Sequence, residues 1–397
     1  MLSAIEARAT ILSNIAPLGS ITVELGHALH SGLAHDIVAR VDVPAFDNAQ
    51  MDGYAVRSAD VQAAPATLRL SGEIAAGSVA PQPLRPHETM RIMTGAKIPN
   101  GCDAVIQQEW AEAKGEDAVT FTRSVSPGHN IRKAGADIPA GTTVLSRGRR
   151  LRPQEIGVMA SLGEEFVSVY RRPSVAILPT GNEVTALGKN LPPGKVRNSN
   201  AYTLGALVRD LGCDAVQLDI APDNTEELGA RMLKGLREDI LVTTGGVSVG
   251  KYDLVKDALE SLGVEIVFWK VNIKPGMPLL FGRYGDKPVF ALPGNPVSTM
   301  VTFLQFVKPA IEKMLGLEVE ERSSRKAKLV HEYAKKDGKR HYLRGILAHE
   351  NGEAVVRTTG PQVSNVMTSL ALANCLIIIP EDRELVRAGE EVEIELL

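Results

Sequence analysis

The chain has 397 residues, of which 44% are hydrophobic, 23% are charged and only 4% are aromatic. Its 44 Lys and Arg residues nearly balance its 47 Asp and Glu residues, so the formal net charge at pH 7 is −3. This composition excludes an intrinsically disordered chain and a protein that coats nucleic acid through a general excess of positive charge. At about 100–200 residues per domain, the length predicts two to four domains.

The cysteines and the amino terminus indicate the compartment. Cys102, Cys213 and Cys375 are far apart and form no Cys-x-x-Cys, which argues against both a disulfide framework and a thiolate zinc site. Glu6 stands where a signal peptide needs positive charge, and no apolar run approaches the ~20 residues of a membrane span. We therefore expect a cytoplasmic protein that binds neither membrane nor nucleic acid.

The first predicted element is a helix that begins with a capping box, Ser3 and Glu6. Its apolar positions are 5, 9, 12, 15 and 16, and we expect it to end near residues 17–19. Residues 66–147 contain short alternating runs between turn residues, which predict a β-rich domain. A short helix follows, with Pro153 in its first turn and Gly163 as its end.

From Pro173 to about Leu317, strand-like and helical runs alternate. The predicted strands are SVAILP, AVQLDI, DILVTT, VEIVFW, PLLFG and KPVFAL, and helices are expected to begin near Ser199, Asn224, Tyr252 and Pro296. This alternation predicts a doubly wound α/β domain with a mostly parallel sheet. In such sheets, ligands bind beyond the carboxyl ends of the strands.

The segment after Leu317 begins with a charge-dense stretch, EVEERSSRKAK, which we interpret as a solvated boundary or edge strands. The last 70 or so residues look all-β, with Asn351-Gly352 as a hairpin turn. The predicted fold class is therefore a multidomain α/β plus β protein, with small β domains and a C-terminal β-barrel-like domain.

Carboxylates are the first candidates for chemistry. None of the eight histidines lies in the α/β segment, which excludes a Ser-His-Asp triad or a His-ligated metal built within it. Glu183, Asp219, Asp223 and Asp253 lie near strand ends, and hard oxygen ligands of this kind favour Mg²⁺. Each of them is also compatible with a helix cap or a surface ion pair.

A glycine loop, TTGGVSVGKYD, follows a buried-looking strand and precedes a helix. Gly245, Gly246, Ser248 and Gly250 are therefore candidates for a phosphate cradle of backbone N–H groups. A P-loop needs Ser or Thr where Tyr252 stands, so a P-loop nucleoside triphosphatase is disfavoured. A tight turn without a ligand stays the alternative.

Two further strand-end loops carry candidate anion ligands. Lys270 and Lys274 are four residues apart in WKVNIKPGMP, and paired ammoniums suit a multiply charged anion, although they also fit a pair of surface lysines. The loop ALPGNPVS places Ser298 at a helix start that serves the same anion. In the first β domain, VPAFDNAQMDGYAVRSAD reads as a long packed functional loop, and Thr94 and Asp137 are further polar candidates.

These motifs occur together in one known family. FDNAQMDGYAVR, RIMTGAKIP, GHNIRKAGADI, PTGNE, TTGGVSVGKYD, FWKVNIKPGMP, LPGNPVS and TTGPQVSN follow one another in its order over nearly the whole chain. The chain resembles the molybdopterin molybdenumtransferases, the molybdenum insertases that also form the C-terminal domain of gephyrin.

The resemblance implies an activity and an assembly. Adenylated molybdopterin and molybdate are the substrates, Mg²⁺ is the cofactor, and hydrolysis of the adenylate releases AMP as molybdenum enters the dithiolene. The resemblance further implies a homodimer of four-domain subunits and contact with the molybdopterin adenylyltransferase. The predicted domains are 1–46 with 139–170, an inserted β-rich 47–138, an α/β molybdopterin-binding 171–317 and a β domain 318–397.

Motif position also implies site residues. Glu183, Asp223 and Asp253 are expected to organise Mg²⁺ and the pterin or adenylate, while Lys270, Lys274 and Ser298 neutralise molybdate. Asp52 and Thr94 are expected to act from the partner subunit. The remaining substrate-binding residues, beside the glycine loop, are Asp137, Pro293, Pro296, Arg344 and Ser364.

The sequence departs from the family pattern at positions that affect charge. Met277 stands where many members have Lys, and Asn198 and Ala201 replace a common carboxylate and a common guanidinium. The alternatives are a tungstate-preferring paralogue and a molybdopterin-binding scaffold without catalysis. A third alternative, the adenylyltransferase, is disfavoured because that enzyme lacks FDNAQMDGYAVR and the C-terminal β segment.

Overall fold

The structure is a computed structural model that describes residues 1–246, 254–319 and 325–397. The chain divides into two units. The larger comprises Met1–Ala34, Gly148–Arg152 and Phe166–Leu397, and the smaller comprises His35–Arg147 and Pro153–Glu165. The division into four domains stays a prediction. Within the described ranges, no helix combines the length and apolarity needed to cross a membrane.

A six-stranded sheet forms the centre of the larger unit. Its strands, in spatial order, are Asp214–Gln217, Ser174–Pro179, Ile240–Thr244, Lys287–Leu292, Leu280–Tyr284 and Glu265–Trp269. The first four are parallel, whereas Leu280–Tyr284 is antiparallel to both neighbours. The predicted mostly parallel sheet is thus confirmed. Its strand order reverses between Ser174–Pro179 and Ile240–Thr244, the point at which such sheets bind ligands.

Helices pack on both faces of this sheet because its strands are apolar on both sides. Val175 and Ile177 belong to one core cluster, whereas Ala176 and Leu178 belong to the other. A helix begins after Asn224, near where one is expected, and the Asn224 side chain caps it by accepting hydrogen bonds from two backbone N–H groups. The helices around the sheet are Asn200–Asp210, Thr225–Gly235, Leu254–Ser261, Pro296–Thr302 and Lys308–Met314, with a π-helical turn at Phe303–Val307.

The carboxyl-terminal part of the larger unit is a closed five-stranded barrel, which confirms the predicted barrel-like domain. Around the barrel, the strands are Arg340–Glu350, Glu353–Thr358, Arg325–Leu329, Glu391–Leu396 and Cys375–Ile379, and the last pairs back with the first. Asn351 and Gly352, both at positive φ, form the predicted two-residue turn. The short strand Ile273–Lys274 pairs in parallel with residues 340–341, which brings the Lys274 loop to the barrel.

A second six-stranded sheet forms the smaller unit. Its strands, in order, are Ala104–Gln107, Gly53–Val56, Glu88–Ile92, Ala66–Ile74, Ala118–Phe121 and Ala111–Lys114. The expectation of a long loop around Asp52 is wrong for Gly53–Val56, which lies inside this sheet. Gly53 permits the pairing, because a Cβ there would lie 2.0 Å from the Ile106 carbonyl oxygen. The helix Pro153–Ser161 belongs to this unit and ends before Gly163, as predicted.

The first helix, Ala4–Ser13, has the predicted capping box but a different buried face. Ala4, Ala7 and Ile11 are buried, whereas Ile5 is 65% exposed. The two alanines allow close packing against residues 303–314. The helix ends earlier than predicted because Asn14 caps it, with its Nδ2 donating to the Thr10 carbonyl oxygen at 2.8 Å.

Short elements complete the fold. The paired short strands are Ser20–Glu24 with Phe166–Tyr170, Ile37–Val38 with Thr143–Leu145, Asn48–Ala49 with Ile131–Arg132, Val184–Thr185 with Val196–Arg197, and Tyr333–Ala334 with Leu385–Val386. The short helices are Leu25–His27, Ser58–Val61, Gln108–Trp110 and Thr368–Ala371.

Candidate active site

A cavity of about 540 Å³ lies at the strand-order reversal of the α/β sheet. Thr180 follows one of the two central strands, and Gly245 and Gly246 follow the other. Residues 294–296, after the strand Lys287–Leu292, and residues 197–200, at the start of the next helix, also line it. Of the predicted site residues, Glu183, Gly245, Gly246 and Pro296 line this cavity.

The glycine loop is shaped by close backbone approaches. Gly245 and Gly246 have φ of +98° and +67°. A Cβ on Gly245 would lie 2.5 Å from the Thr180 carbonyl oxygen, and one on Gly246 would lie 2.5 Å from the Val255 Cγ2. Glycine is therefore required at both positions, and both glycines line the cavity. Ser248, Gly250 and Asp253 lie outside the described residues.

One asparagine fastens the loops around the cavity. The Asn200 Nδ2 donates to the Thr244 Oγ1 at 2.9 Å and to the Gly294 carbonyl oxygen at 2.8 Å. The Thr244 hydroxyl in turn donates to the Pro293 carbonyl oxygen at 3.2 Å. Pro293 is thus part of this hydrogen-bond network, behind the cavity wall.

The Glu183 carboxylate is exposed at the cavity and has no hydrogen-bond partner among the described residues. Gly181 makes room for it, because a Cβ there would lie 2.4 Å from the Glu183 Oε2. Asp223 does not line the cavity. Its Oδ2 accepts from the Asn182 N–H at 3.1 Å, and its own N–H donates to the Asn182 Oδ1 at 3.2 Å. Asp223 therefore fixes the loop that carries Glu183.

A second cavity, of about 560 Å³, adjoins the first. Asn295 and Asn365 line both cavities, so the two share a wall. The predicted residues Lys274, Ser298 and Ser364 line the second cavity, and Ser298 is 4% exposed. Its lining also includes Met277, where the chain departs from the family pattern, together with Lys339 and Gln362.

Lys274 is held by a carboxylate. Its Nζ lies 3.2 Å from the Asp337 Oδ2, and the His341 Nε2 lies 2.8 Å from the Asp337 Oδ1. Burial alone would raise the pKa of Asp337, but hydrogen bonds from Lys274 and His341 outweigh it and lower that pKa to about 2. Burial lowers the pKa of His341, so the neutral ring donates from Nε2 to Asp337 and accepts at Nδ1 from the Tyr333 hydroxyl.

Lys270 and Lys274 are not brought together as a pair of cavity ligands. The Lys270 Nζ lies 4.2 Å from the centre of the Trp269 ring, and Lys270 lines neither cavity. Its φ of +79° turns the chain between the strand and the loop of Lys274. A turn therefore lies between the two lysines, and a role of Lys270 at the oxyanion stays a prediction.

Arg344 is fully buried behind the second cavity. Its Nη2 donates to the Val363 carbonyl oxygen at 3.1 Å, and its Nε donates to the Ser369 Oγ at 3.1 Å. Its Nη1 has no hydrogen-bond partner among the described residues. The guanidinium thus supports residues 362–364 of the wall and keeps one donor unused.

The predicted residues of the smaller unit lie around a shallow cavity of about 360 Å³ that Thr94 and Arg132 help to line. The Asp52 Oδ1 accepts from the Thr94 hydroxyl at 2.6 Å and from the Thr94 N–H at 2.7 Å. These two hydrogen bonds hold the pKa of Asp52 below its usual value. The Asp137 Oδ2 lies 3.8 Å from the Arg132 Nη2.

Known proteins resemble this chain along its whole length. Three family models match it: "MoeA N-terminal region (domain I and II)" over residues 2–163, "Probable molybdopterin binding domain" over 176–313, and "MoeA C-terminal region (domain IV)" over 326–397. A molybdopterin molybdenumtransferase from Haemophilus influenzae is 37% identical over 399 residues, covering 100% of this chain and 98% of that protein. The chain belongs to the molybdopterin molybdenumtransferase family.

Further comparisons agree with this membership. A molybdopterin molybdenumtransferase from Bacillus subtilis is 35% identical, over 94% of this chain and 89% of that protein. The crystal structure of a molybdopterin biosynthesis protein from Pyrococcus horikoshii superposes with a TM-score of 0.84, at 32% identity and full coverage of both chains. As a member of this family, the chain is a transferase of molybdenum-cofactor biosynthesis, and the predicted fold class and family are both confirmed.

The positions at which the chain departs from the family pattern lie in different surroundings. Asn198 and Met277 line the first and the second cavity respectively. Ala201, in contrast, is 2% exposed and belongs to the core.

Sequence reasoning missed the asparagines at 200, 295 and 365, and Lys339. Asn200 is the first residue of a helix, whereas Asn295 lies inside LPGNPVS directly after a predicted strand, so the position of Asn295 was a usable signal. Among the described residues, no group of three or more His, Cys, Asp or Glu side chains is placed to hold a metal ion.

Proposed function

We propose that the chain transfers molybdenum from molybdate to adenylated molybdopterin, with hydrolysis of the adenylate and release of AMP. The observation that carries this proposal is the pair of adjoining cavities with a shared wall at Asn295 and Asn365. One is lined by Gly245 and Gly246 of the predicted phosphate cradle, and the other has a lysine-bearing wall. Two substrates of different chemistry can therefore be held side by side.

The first cavity suits the organic substrate. Gly245 and Gly246 line it at the sheet position where nucleotides and related ligands bind, and glycine there lets a phosphorylated ligand approach the main chain closely. Its volume of about 540 Å³ lies in the range of small-molecule and cofactor sites.

The second cavity suits the oxyanion. Lys274 and Ser298 supply an ammonium and a hydroxyl at its wall, and both donate hydrogen bonds to tetrahedral anions. Lys274 is paired with Asp337 at 3.2 Å. An incoming doubly charged anion competes with that carboxylate for Lys274.

Mg²⁺ fits the donor set of the first cavity. The Glu183 carboxylate has no partner among the described residues, and carboxylate oxygens are the ligands that Mg²⁺ prefers. We propose Glu183 as a ligand, and Asp253 as a second ligand on motif position alone, because Asp253 lies outside the described residues. Asp223 holds the Glu183 loop. When bound, the ion supplies positive charge that stabilises the phosphate oxygens during hydrolysis.

The experiment measures AMP release from adenylated molybdopterin with Mg²⁺, in the presence and absence of molybdate. We expect release that depends on molybdate for the wild type and a loss of at least tenfold for Glu183→Gln. Glu165→Gln, an exposed change in the smaller unit, is the matched control. AMP release that does not require molybdate, or AMP release that tungstate supports and molybdate does not, would contradict the proposal.

The proposal includes a homodimer in which Asp52 of the partner subunit and Thr94 of the partner subunit complete each site. A mixing experiment tests it. Asp52→Asn and Glu183→Gln should each be inactive alone. Re-equilibrated one-to-one mixtures should recover about a quarter of wild-type activity, because half of the dimers then contain one intact site. No recovery would refute the shared site.

A further inference from the structure

Lys339 reaches the second cavity from the barrel side. It precedes the strand Arg340–Glu350, which pairs with the Lys274 strand at residues 340–341. Its Nζ lies 3.4 Å from the Met277 Sδ, and both side chains line the cavity. The pairing of these two strands therefore places a second ammonium on the wall that carries Lys274.

The two ammoniums differ in their partners. Lys274 is 3.2 Å from the Asp337 carboxylate, which balances its charge. Lys339 has no carboxylate partner among the described residues, and its contact is the Met277 thioether, a weak acceptor. Most of its hydrogen-bonding capacity is thus unused at a half-buried position, where a charged hydrogen bond to an anion is strong.

The backbone of Lys339 is fixed. Its carbonyl oxygen accepts from the Lys335 Nζ at 2.6 Å, and Lys335 is only 6% exposed. Its N–H donates to the Asp337 Oδ1 at 3.3 Å. Because the main chain is anchored on both sides, the side chain extends into the cavity from a defined point, and Met277 supports its end.

We propose that Lys339 is a binding residue for the oxyanion substrate, with Met277 positioning its ammonium. This inference rests on the proposed function, since it assigns a further residue to the molybdate cavity. Before the oxyanion binds, Lys339 supplies a positive charge that no carboxylate of the described residues balances. Lys274 becomes available when the incoming oxyanion takes the place of the Asp337 carboxylate beside it.

The test measures the dissociation constant for sodium molybdate by isothermal titration calorimetry on the full chain. We expect Lys339→Gln to weaken binding about tenfold, the effect of one charged hydrogen bond. Lys336→Gln is the matched control, because Lys336 is exposed, lies on the same loop and is outside the cavity lining. It should leave the dissociation constant within twofold of the wild type.

A second variant separates anion binding from general disturbance of the loop. In the double variant Met277→Lys, Lys339→Gln, the new lysine replaces the side chain that the Lys339 Nζ contacts in the wild type. A positive charge then returns to the same part of the cavity, so molybdate binding should recover to within threefold of the wild type. Equal molybdate binding by Lys339→Gln and the wild type, or no recovery in the double variant, would overturn the role of Lys339 and leave the proposed function standing. If the wild type itself does not bind molybdate, the proposed function fails with it.

Discussion

Replacing Gly246 by alanine tests whether the glycine loop is shaped by steric necessity. At φ +67°, an alanine there enters the left-handed region, and its Cβ would lie 2.5 Å from the Val255 Cγ2 and 2.9 Å from the Thr180 Oγ1. The backbone conformation costs about 1–2 kcal/mol. Crowding of the kind produced by extra methyl groups adds about 1–3 kcal/mol.

Gly263 provides the matched control. Its φ is +85°, but a Cβ there would meet nothing within 4 Å. Gly263→Ala therefore carries the backbone term alone, and the difference between the two variants isolates the crowding at the cavity. We expect Gly246→Ala to be less stable than Gly263→Ala by about 1–3 kcal/mol.

The assay is urea unfolding of both variants, followed by titration of molybdopterin against each folded protein. Gly246→Ala should bind molybdopterin at least tenfold more weakly, because the loop must move away from Val255 and Thr180, both of which it now contacts. Gly263→Ala should bind as the wild type does. Equal stability and equal binding in the two variants would refute the steric argument.

Two further predictions concern carboxylates. Asp239 is 17% exposed and hydrogen-bonded to Arg171 and Ser174; burial raises its pKa, but these bonds lower it to about 2, below an unfolded value of 3.8. The ionised Asp239 therefore stabilises the fold above pH 4, and this contribution is lost as the pH falls through 2. Asp239→Asn should lower the free energy of unfolding by about 2 kcal/mol at pH 7 and by little near pH 2, as measured from urea midpoints. Thr94→Val should raise the pKa of Asp52, because the hydrogen bond from the hydroxyl is lost; NMR titration measures this pKa. Thr94→Ser keeps the hydroxyl and should keep the pKa low. A raised pKa in the serine variant would contradict this cause.

The α/β sheet was predictable because buried parallel strands appear as continuous apolar runs. The six predicted runs are the six strands of that sheet. The strand Gly53–Val56 was missed because four residues between Asp52 and Arg57 are too few to show a period. Its pairing depends on Gly53 meeting Ile106, a contact between residues far apart in the chain.

The candidate site was predictable where motifs lie at strand ends and was missed where contacts cross between elements. Glu183 and Gly245 belong to loops that directly follow predicted strands. Lys339 lies in a charge-rich stretch that resembles an exposed boundary, and its approach to Met277 follows from the pairing of residues 273–274 with 340–341. Spacing along the chain carries no signal of such a pairing.

The hydrogen bonds of Asn200 have a consequence for the energetics of ligand capture. Because this side chain joins Thr244 to Gly294, the loops of neighbouring strands are preorganised before a ligand arrives. The conformational entropy of ordering them is lost during folding and does not reduce the affinity for the ligand. Discrimination between ligands then depends on the fit to a rigid rim, and a poorly matched pterin gains little from loop adjustment.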